Sequence, residues 1–270
     1  MAQPSKSNRH IRISVLMPVR NEAVNLKIVV RILMASIDVP FEILIVYDFP
    51  EDNSVPVIAA LQSVYPNVRG IHNTLGQGVV NAIRAGVHAA VGEYVLIFVA
   101  DEVTPVLAIQ DMIALMDEGC DLVSCTRYAY GGRRLGSPLI RNLLSHSANL
   151  LFHFIARSCF TDPTAGLKLF RRSVFDRLHL ETTSTSWAVA FEMSIRAQLE
   201  GLKLGEVPAI SVDRLYGGES TFRAGPWIKE YLRWFILGGL RLRHSVSKQK
   251  NRVFVRIPSK TGKHTYVVSH

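Results

Sequence analysis

Short apolar runs alternate with amphipathic segments through about the first hundred residues of the chain. The runs "RISVLMPV", "FEILIVYD", "NVRGIHN" and "EYVLIFVAD" have the length and apolar content of strands. Between them, "EAVNLKIVVRILMASI", "SVPVIAALQSVYP" and "GQGVVNAIRAGVHAAV" repeat apolar residues at helical spacing. Because strands that alternate with helices form mainly parallel sheets, the pattern predicts a Rossmann-like α/β fold with helices on both faces.

The composition suits one such domain with an additional segment. The chain has 270 residues, of which 48% are hydrophobic, and this is enough to bury a full core. Cys120, Cys125 and Cys159 show neither an even disulfide framework nor metal-ligand spacing, so we expect buried reduced thiols. The opening "MAQPSKSNRH" precedes no apolar stretch of signal-peptide length, which predicts a flexible segment at 1–10 and a cytoplasmic protein.

Positive charge is concentrated towards the C-terminal end. From Arg223 to Lys263 there are 11 Lys or Arg residues and one acid, whereas the whole chain has a net charge of +9. The segment "PWIKEYLRWFILGGLRLRHSV" mixes aromatic and basic residues as a helix at a lipid interface does. The alternative is a helix packed on the core with a solvated basic face. We therefore predict a basic, aromatic appendage over 226–270, in which "RVFVRI" and "HTYVVSH" form a hairpin or an extended arm.

A second apolar segment, "RRLGSPLIRNLLSHSANLLFHFIAR", spans 133–157 and has basic residues at both ends. Apolar helices usually pack in a core, and this is the first interpretation. The second is a surface that dips into a bilayer. No run in the chain reaches the ~18 apolar residues that a membrane span needs, so contact with a membrane would be peripheral.

Acidic residues follow three of the predicted strands. Glu22 follows the first strand, Asp48 and Asp52 follow the second, and Asp101 and Glu102 follow the fourth. Any one acid could cap a helix or lie in a solvated loop. Ligands of open parallel sheets bind at the carboxyl ends of the strands, however, where these acids would meet. Since carboxylate oxygens suit Mg²⁺ or Mn²⁺ together with phosphates, a nucleotide diphosphate is the expected partner.

Over about residues 11–225 the chain resembles the inverting GT-A glycosyltransferases of the dolichyl-phosphate mannose synthase type. "MPVRNEAVNL" is similar to the opening "PTYNE" of that family, and "VYDFPEDNS" to its "VDDNSPDGT" loop. "CTRYAYGG", "TDPTAGLKLFRR" and "VPAISVDRLYGGEST" follow in the family's order and spacing. The resemblance implies a GT-A fold over 11–225 and transfer of a hexose, mannose or glucose, from a nucleotide-diphosphate sugar to a polyprenyl phosphate, at the cytoplasmic face of a membrane.

The resemblance also implies which residues bind the donor. The nucleotide-sugar pocket would contain Pro18, Glu22, Asp48, Asp52 and Gly78.

Other roles are implied for the remaining motif residues. Asp101 would hold the metal on the diphosphate, and Arg127 would lie near the donor or acceptor phosphate. Asp162 would organise the loop that faces the transferred sugar. Arg214 and Ser220 would lie at the acceptor end.

The metal motif departs from the family pattern. Val99 stands where the family has its first metal-binding Asp, and Val103 replaces a polar ligand. Glu102 would point away from Asp101 if the strand continued, whereas a turn could bring both to one ion. Because Mg²⁺ needs only one or two carboxylates besides phosphate oxygens and water, a divalent metal, Mg²⁺ or Mn²⁺, is still expected.

The acceptor decides whether the reaction needs a general base. A phosphate monoester has a second pKa of about 6 and is already anionic near neutral pH, so a polyprenyl phosphate needs no base. A saccharide or other hydroxylic acceptor would need one, for which Asp162 and Glu192 are the candidates. A non-catalytic nucleotide-sugar-binding module is a third possibility. Nucleic acid is not an expected partner, because the acidic strand ends would repel a polyanion.

Overall fold

The computed structural model describes residues 10–102, 104–183, 185–212, 224–246, 252–259 and 262–269. The strands are β1 (Ile13–Val19), β2 (Phe41–Tyr47), β3 (Val68–His72), β4 (Tyr94–Ile97), β5 (Leu122–Thr126), β6 (Arg133–Leu135), β7 (Lys168–Arg171), β8 (Leu204–Pro208), β9 (Ile210–Val212), β10 (Arg252–Ser259) and β11 (Gly262–Ser269). The helices are α1 (Ala23–Ser36), α2 (Ser54–Val64), α3 (Val79–Ala89), α4 (Ile109–Asp117), α5 (Leu139–Ala156), α6 (Ala188–Leu199), α7 (Ala224–Arg233) and α8 (Gly239–Val246). A π-helical turn, Trp234–Gly238, joins the last two helices.

Nine of the described strands form one sheet, in the order β11-β10-β8-β5-β7-β4-β1-β2-β3. β7 and β11 run antiparallel to their neighbours, and the other strands of this sheet run parallel to one another. β6 and β9 form a separate parallel pair. The predicted mainly parallel α/β sheet is therefore confirmed.

Helices cover both faces of the sheet, so its central strands are buried on both sides. In β1, Val15 and Met17 join the hydrophobic cluster under α1, α2 and α4, whereas Leu16 joins the cluster under α3 and α6. This double burial explains the uninterrupted apolar runs of the sequence. The three cysteines are buried and unpaired, as expected.

The C-terminal strands belong to the central sheet. β10 pairs in parallel with β8, and the side chains of Val253 and Val255 are fully buried. β11 pairs antiparallel with β10, so the segment forms a hairpin and not an extended arm. The described C-terminal hairpin is therefore continuous with the central sheet.

The fourth strand ends earlier than its apolar pattern predicted. The Phe98 N–H still donates to the Leu16 carbonyl at 2.9 Å, although the strand assignment stops at Ile97. The Glu102 N–H then donates to the Val99 carbonyl at 3.2 Å and closes a turn. Residues 99–102 therefore do not follow the alternating side-chain directions of a strand. This turn determines the directions of the Asp101 and Glu102 carboxylates.

Helix α5 exposes most of its apolar side chains, which differs from the core-packed interpretation. Its exposed apolar residues are Leu139, Ile140, Leu143, Leu144, Leu150, Leu151, Phe154 and Ile155. Phe152 and Ala156 anchor the opposite side against α6, Trp234 and α8. The helical segment from α7 through the π-helical turn to α8 has a second group of exposed apolar side chains, namely Ile228, Leu232, Ile236, Leu237 and Leu240. In the part of the chain that the structure describes, no helix combines the length and apolar character of a bilayer span.

The approach of Gly92 to β1 gives a test of the fold. A Cβ atom at Gly92 would lie 2.6 Å from the Ser14 nitrogen and 2.8 Å from the Ile13 carbonyl carbon, and neither backbone atom can move aside. We expect Gly92→Ala to lower the free energy of unfolding by about 1–3 kcal/mol, as overpacking does. Chemical denaturation measures this loss.

Gly239→Ala is the matched control. The nearest atom to a Cβ there is Phe152 Cε2 at 3.4 Å, which is an ordinary contact. Because alanine is favoured over glycine in helices by about 0.5–1 kcal/mol, this variant should be as stable as the wild type or more so. Equal losses in both variants would contradict the close approach of Gly92 to β1.

Candidate active site

The turn after β4 brings both of its acids to one cavity. Asp101 and Glu102 line a cavity of about 470 Å³ beyond the ends of the strands. Since residues 99–102 form a turn, Glu102 does not point away from Asp101 as it would in a continued strand. Val99, which replaces the expected first Asp, lies in the wall of the same cavity.

The other lining residues combine positive charge with aromatic surface. Arg127 comes from the end of β5, Arg134 from β6 and Arg141 from the first turn of α5. The aromatic lining residues are Trp187, Trp227 and Tyr231. Among the described lining residues there are thus three guanidinium groups and two carboxylates. The net positive charge suits an anionic ligand such as a phosphate.

A buried carboxylate fixes the direction of Arg127. Arg127 Nε donates to Asp162 at 2.7 Å, Nη2 donates to the other carboxylate oxygen at 2.9 Å, and the backbone N–H of Arg127 donates at 3.1 Å. Burial disfavours the ionised form of Asp162, but the hydrogen-bonded guanidinium outweighs it and lowers the pKa of the carboxyl. Burial likewise disfavours the charge of Arg127, and Asp162 outweighs this and raises the pKa of the guanidinium.

This arrangement shows how Asp162 contributes to the site. Its side chain is fully buried and does not line the cavity. The four hydrogen bonds from Arg127 and Thr164 engage both of its oxygens. Asp162 therefore holds Arg127 in place through these bonds, and its predicted role in the loop that faces the transferred sugar stays a prediction.

Glu192, the other candidate base, is also buried. Its carboxylate accepts hydrogen bonds from the backbone N–H groups of Glu181 and Thr182, the second at 2.7 Å. It does not line the cavity. Neither acid that we considered as a base for a hydroxylic acceptor is placed to serve one.

Asp48 and Gly78 lie at the same edge of the sheet as the cavity but outside its lining. The Gly78 N–H donates to Asp48 at 2.8 Å, and Asn73 Nδ2 donates to the same carboxylate at 2.7 Å. Gly78 has a φ of +112°, a conformation that glycine adopts readily. These bonds join the loop after β2 to the start of α3.

Asp52 and Glu22 join the loops that precede α1 and α2. The Asp52 carboxylate is buried and accepts hydrogen bonds from the N–H groups of Asn21 and Ser54. The Glu22 carboxylate accepts a hydrogen bond from Asn25 at 2.7 Å. Pro18 is the penultimate residue of β1. The cavity therefore brings together Asp101, Glu102 and Arg127, whereas the residues predicted to bind the nucleotide lie along the same sheet edge outside its lining.

Both predicted acceptor residues, Arg214 and Ser220, lie outside the described residues, as does Val103. The sequence analysis also missed Arg134, Arg141 and the aromatic lining. The available signal was the pair of basic positions before the apolar segment of α5, which we had interpreted only as its charged ends.

The residues present fit a divalent ion that binds through few protein ligands. Within the described ranges, no group of three His, Cys, Asp or Glu side chains is placed to hold a metal. Asp101 and Glu102 supply hard oxygen ligands, and Mg²⁺ or Mn²⁺ can complete its coordination with waters and phosphate oxygens.

Comparisons with known proteins identify similar sequences and folds. The glycosyl transferase family 2 model matches residues 14–178. Glycosyltransferase AglD of Haloferax volcanii is 26% identical over 206 residues, which cover 73% of this chain and 32% of that protein. A dolichol-phosphate mannosyltransferase of Pyrococcus furiosus is 29% identical over 226 residues, which cover 83% of this chain and 62% of that protein. The chain thus spans less than two thirds of either relative.

Solved structures show a similar fold. Glucosyl-3-phosphoglycerate synthase from Mycobacterium tuberculosis, in complex with Mn²⁺, UDP and phosphoglyceric acid, aligns with a TM-score of 0.62 at 17% identity. The alignment covers 96% of this chain and 88% of the other. A complex of that enzyme with Mn²⁺, UDP-glucose and glycerol 3-phosphate aligns at 0.59 and 16% identity, over 95% and 87% of the two chains.

At this level of identity the likeness shows the fold alone, and it confirms the predicted GT-A architecture. The family match covers more than half of the chain and includes β1, the acidic strand ends and the Arg127–Asp162 pair. This chain belongs to glycosyl transferase family 2.

Proposed function

We propose that this protein transfers a hexose, with inversion, from a nucleotide-diphosphate sugar to a polyprenyl phosphate at a membrane surface. The observation that carries the proposal is the placement of the cavity. It combines carboxylates for a metal with three arginines for phosphate, and Arg141 comes from the helix whose apolar side chains are exposed. A dolichol-phosphate mannosyltransferase among the relatives supports a phosphate acceptor that carries a lipid.

The donor side of the reaction needs cations where the diphosphate leaves. Transfer through an oxocarbenium-like transition state releases negative charge onto the diphosphate. A divalent ion held by Asp101 and Glu102 would act there as a Lewis acid, and the M. tuberculosis synthase complexes with Mn²⁺ and UDP support such a site. Arg127 supplies fixed positive charge, because Asp162 holds it in place before the substrate binds.

The acceptor side favours a phosphate over a hydroxyl group. Asp162 and Glu192 are buried and engaged, so no described acid other than the metal-binding pair lines the cavity. A hydroxylic acceptor would need a general base, whereas an acceptor that is already ionised does not. Arg134 and Arg141 line the cavity and would bind the anion.

The exposed face of α5 supports lipid contact. A second cavity of about 370 Å³ shares Arg134 with the first and is lined by Leu135, Leu139 and Leu143. An apolar chain attached to a phosphate near Arg134 can therefore continue along α5. The exposed row on α7 to α8 adds a second apolar surface beside basic Arg233 and Arg241, as in helices that lie on anionic membranes. We propose that this surface rests on the cytoplasmic face of the membrane.

Loss of the metal-binding carboxylate tests the transfer reaction. Purified protein is incubated with radiolabelled GDP-mannose or UDP-glucose, Mg²⁺ or Mn²⁺, polyprenyl phosphate and detergent, and label is counted in the organic phase. We expect one donor to give labelled lipid and Asp101→Asn to lower the rate about 100-fold, the usual scale for loss of charge stabilisation in a transition state.

The control is Asp117→Asn, a surface acid of α4 that pairs with Arg12 and should leave the rate unchanged. Absence of labelled lipid with every donor, or equal rates in Asp101→Asn and the wild type, would refute the proposed reaction.

Charge on α5 tests the membrane surface. Leu144 on α5 and Val64 on α2 are each 66% exposed, so a glutamate at either site disturbs the fold equally little. With vesicles of phosphatidylcholine and phosphatidylglycerol, we expect Leu144→Glu to weaken co-sedimentation at least about tenfold, because a buried leucine contributes roughly 1.5–3 kcal/mol. Val64→Glu should sediment like the wild type. Equal sedimentation of the two variants would show that α5 does not face the lipid.

A further inference from the structure

Hydrogen bonds of two buried ionisable side chains, Glu206 and Lys168, hold the loop that carries Asp162. This Asp162 loop, residues 160–165, connects the region after α5 to β7. Glu206 on β8 and Lys168 on β7 are both fully buried and neither lines the cavity. Since a buried ionisable group is costly unless it makes specific hydrogen bonds, their partners indicate what they do.

Glu206 binds the backbone of the loop at the residue that holds Arg127. One carboxyl oxygen accepts the N–H of Thr161 at 2.9 Å and the N–H of Asp162 at 3.3 Å. The other oxygen lies 3.0 Å from the Thr161 hydroxyl, which is itself 2.7 Å from the hydroxyl of Thr126. Thr126 is the last residue of β5 and immediately precedes Arg127. Glu206 thus links both sides of the Arg127–Asp162 pair.

Lys168 holds the next part of the same loop. Its ammonium group donates to the hydroxyls of Ser124 at 2.9 Å and Ser194 at 2.8 Å. The Ser194 hydroxyl in turn donates to the carbonyl of Pro163 at 2.7 Å. Glu206 therefore contacts the loop at Thr161 and Asp162, whereas Lys168 reaches it through Ser194 at Pro163, the next residue.

The protonation state of Glu206 suits this geometry. Burial raises the pKa of Glu206 to about 8, so the carboxyl is largely neutral at pH 7. One oxygen accepts the two backbone N–H groups, and the other shares a hydrogen bond with the Thr161 hydroxyl. The charged groups around it are Asp162 in the loop, Arg127 beyond Asp162, and Lys168 on β7, whose pKa burial lowers to about 8. A neutral glutamine can reproduce all of these hydrogen bonds.

We propose that Glu206 and Lys168 are positioning residues that set the direction of Arg127 toward the phosphate of a ligand in the cavity. The inference rests on the proposed function only in taking that ligand to be a phosphate. Neither side chain touches the ligand. They act by restricting the Asp162 loop, so that the guanidinium is aligned before binding.

The experiment compares Glu206 with a buried glutamate far from the cavity. Glu42 on β2 is also buried and accepts hydrogen bonds from Ser14 Oγ and the Val91 N–H, besides its ion pair with Arg69. Glu206→Leu and Glu42→Leu therefore remove comparable sets of hydrogen bonds. The full-length variants are titrated calorimetrically with farnesyl phosphate, and with farnesol to subtract binding of the apolar chain. Thermal unfolding reports the loss of stability in each.

We expect Glu206→Leu to weaken farnesyl phosphate binding at least about tenfold, the scale of a charge-assisted hydrogen bond, and to lower transfer of labelled sugar in parallel. Glu206→Gln should recover both to within about threefold, and Glu42→Leu should bind like the wild type at an equal loss of thermal stability. In an Arg127→Ala background, Glu206→Leu should have no further effect on binding, because it acts through Arg127.

Two results would overturn the inference. One is an equal loss of binding in Glu42→Leu and Glu206→Leu, and the other is an undiminished effect of Glu206→Leu without Arg127. If Glu206→Leu does not fold, Thr161→Val keeps the side-chain volume and removes one hydroxyl, and wild-type binding by that variant would also overturn it.

The same measurements separate this inference from the proposed function. A wild-type protein that binds farnesyl phosphate through Arg127 and Glu206, yet transfers no label from any donor, would uphold the positioning role and refute the transfer. Active transfer that Glu206→Leu leaves unchanged would do the reverse.

Discussion

The geometry of the site depends on one ion pair, Arg127 with Asp162. The carboxylate is fully buried, and removal of one partner from a buried pair typically costs about 3–5 kcal/mol because the other charge is left uncompensated. Both carboxylate oxygens of Asp162 are hydrogen-bonded, since Asp162 accepts three N–H groups of Arg127 and the hydroxyl of Thr164. Arg127 is therefore held in one direction. Its 14% exposed side chain presents only a small part of its surface to the cavity.

The same pair connects the site to the exposed helix. Arg127 Nη2 also donates to the hydroxyl of Thr164 at 3.0 Å, and that hydroxyl lies 3.0 Å from the amide nitrogen of Asn149, a buried residue of α5. The neighbouring Tyr128 hydroxyl donates to Ser145 of α5 at 2.8 Å. The helix that presents its apolar side to the surroundings is thus bonded to the residues that would bind phosphate. A tilt of α5 would therefore disturb the hydrogen bonds of Thr164.

The sheet could be predicted from the sequence because strands that are buried on both faces have uninterrupted apolar runs. A run such as "ISVLMPV" in β1 has no polar side to alternate with, and the acids that follow such runs must gather at one edge. The missed features depend on contacts between distant segments. Strand β7 lies antiparallel between β4 and β5, and β10 pairs with β8. The periodicity of the sequences of β7 and β10 does not reveal these pairings. The sequence alone also does not show that α5 is exposed, since an apolar helix has the same pattern whether it packs on a core or faces lipid.

The acids of the site and, through the family resemblance, Arg127 could be predicted, whereas Arg134 and Arg141 could not, and charge balance shows why the acidic and basic residues belong together. Asp101 and Glu102 are neighbours in sequence, whereas Arg127, Arg134 and Arg141 come from three different elements and meet only in the folded chain. The described lining alone carries a single net positive charge, which is too little for a diphosphate and a phosphate monoester of about −1.5 to −2 in the same cavity. With the proposed substrates bound, a divalent ion on the carboxylate pair would bring the site close to neutrality. The metal can thus be retained for charge even where Val99 has removed a ligand, because the substrate phosphates themselves complete its coordination.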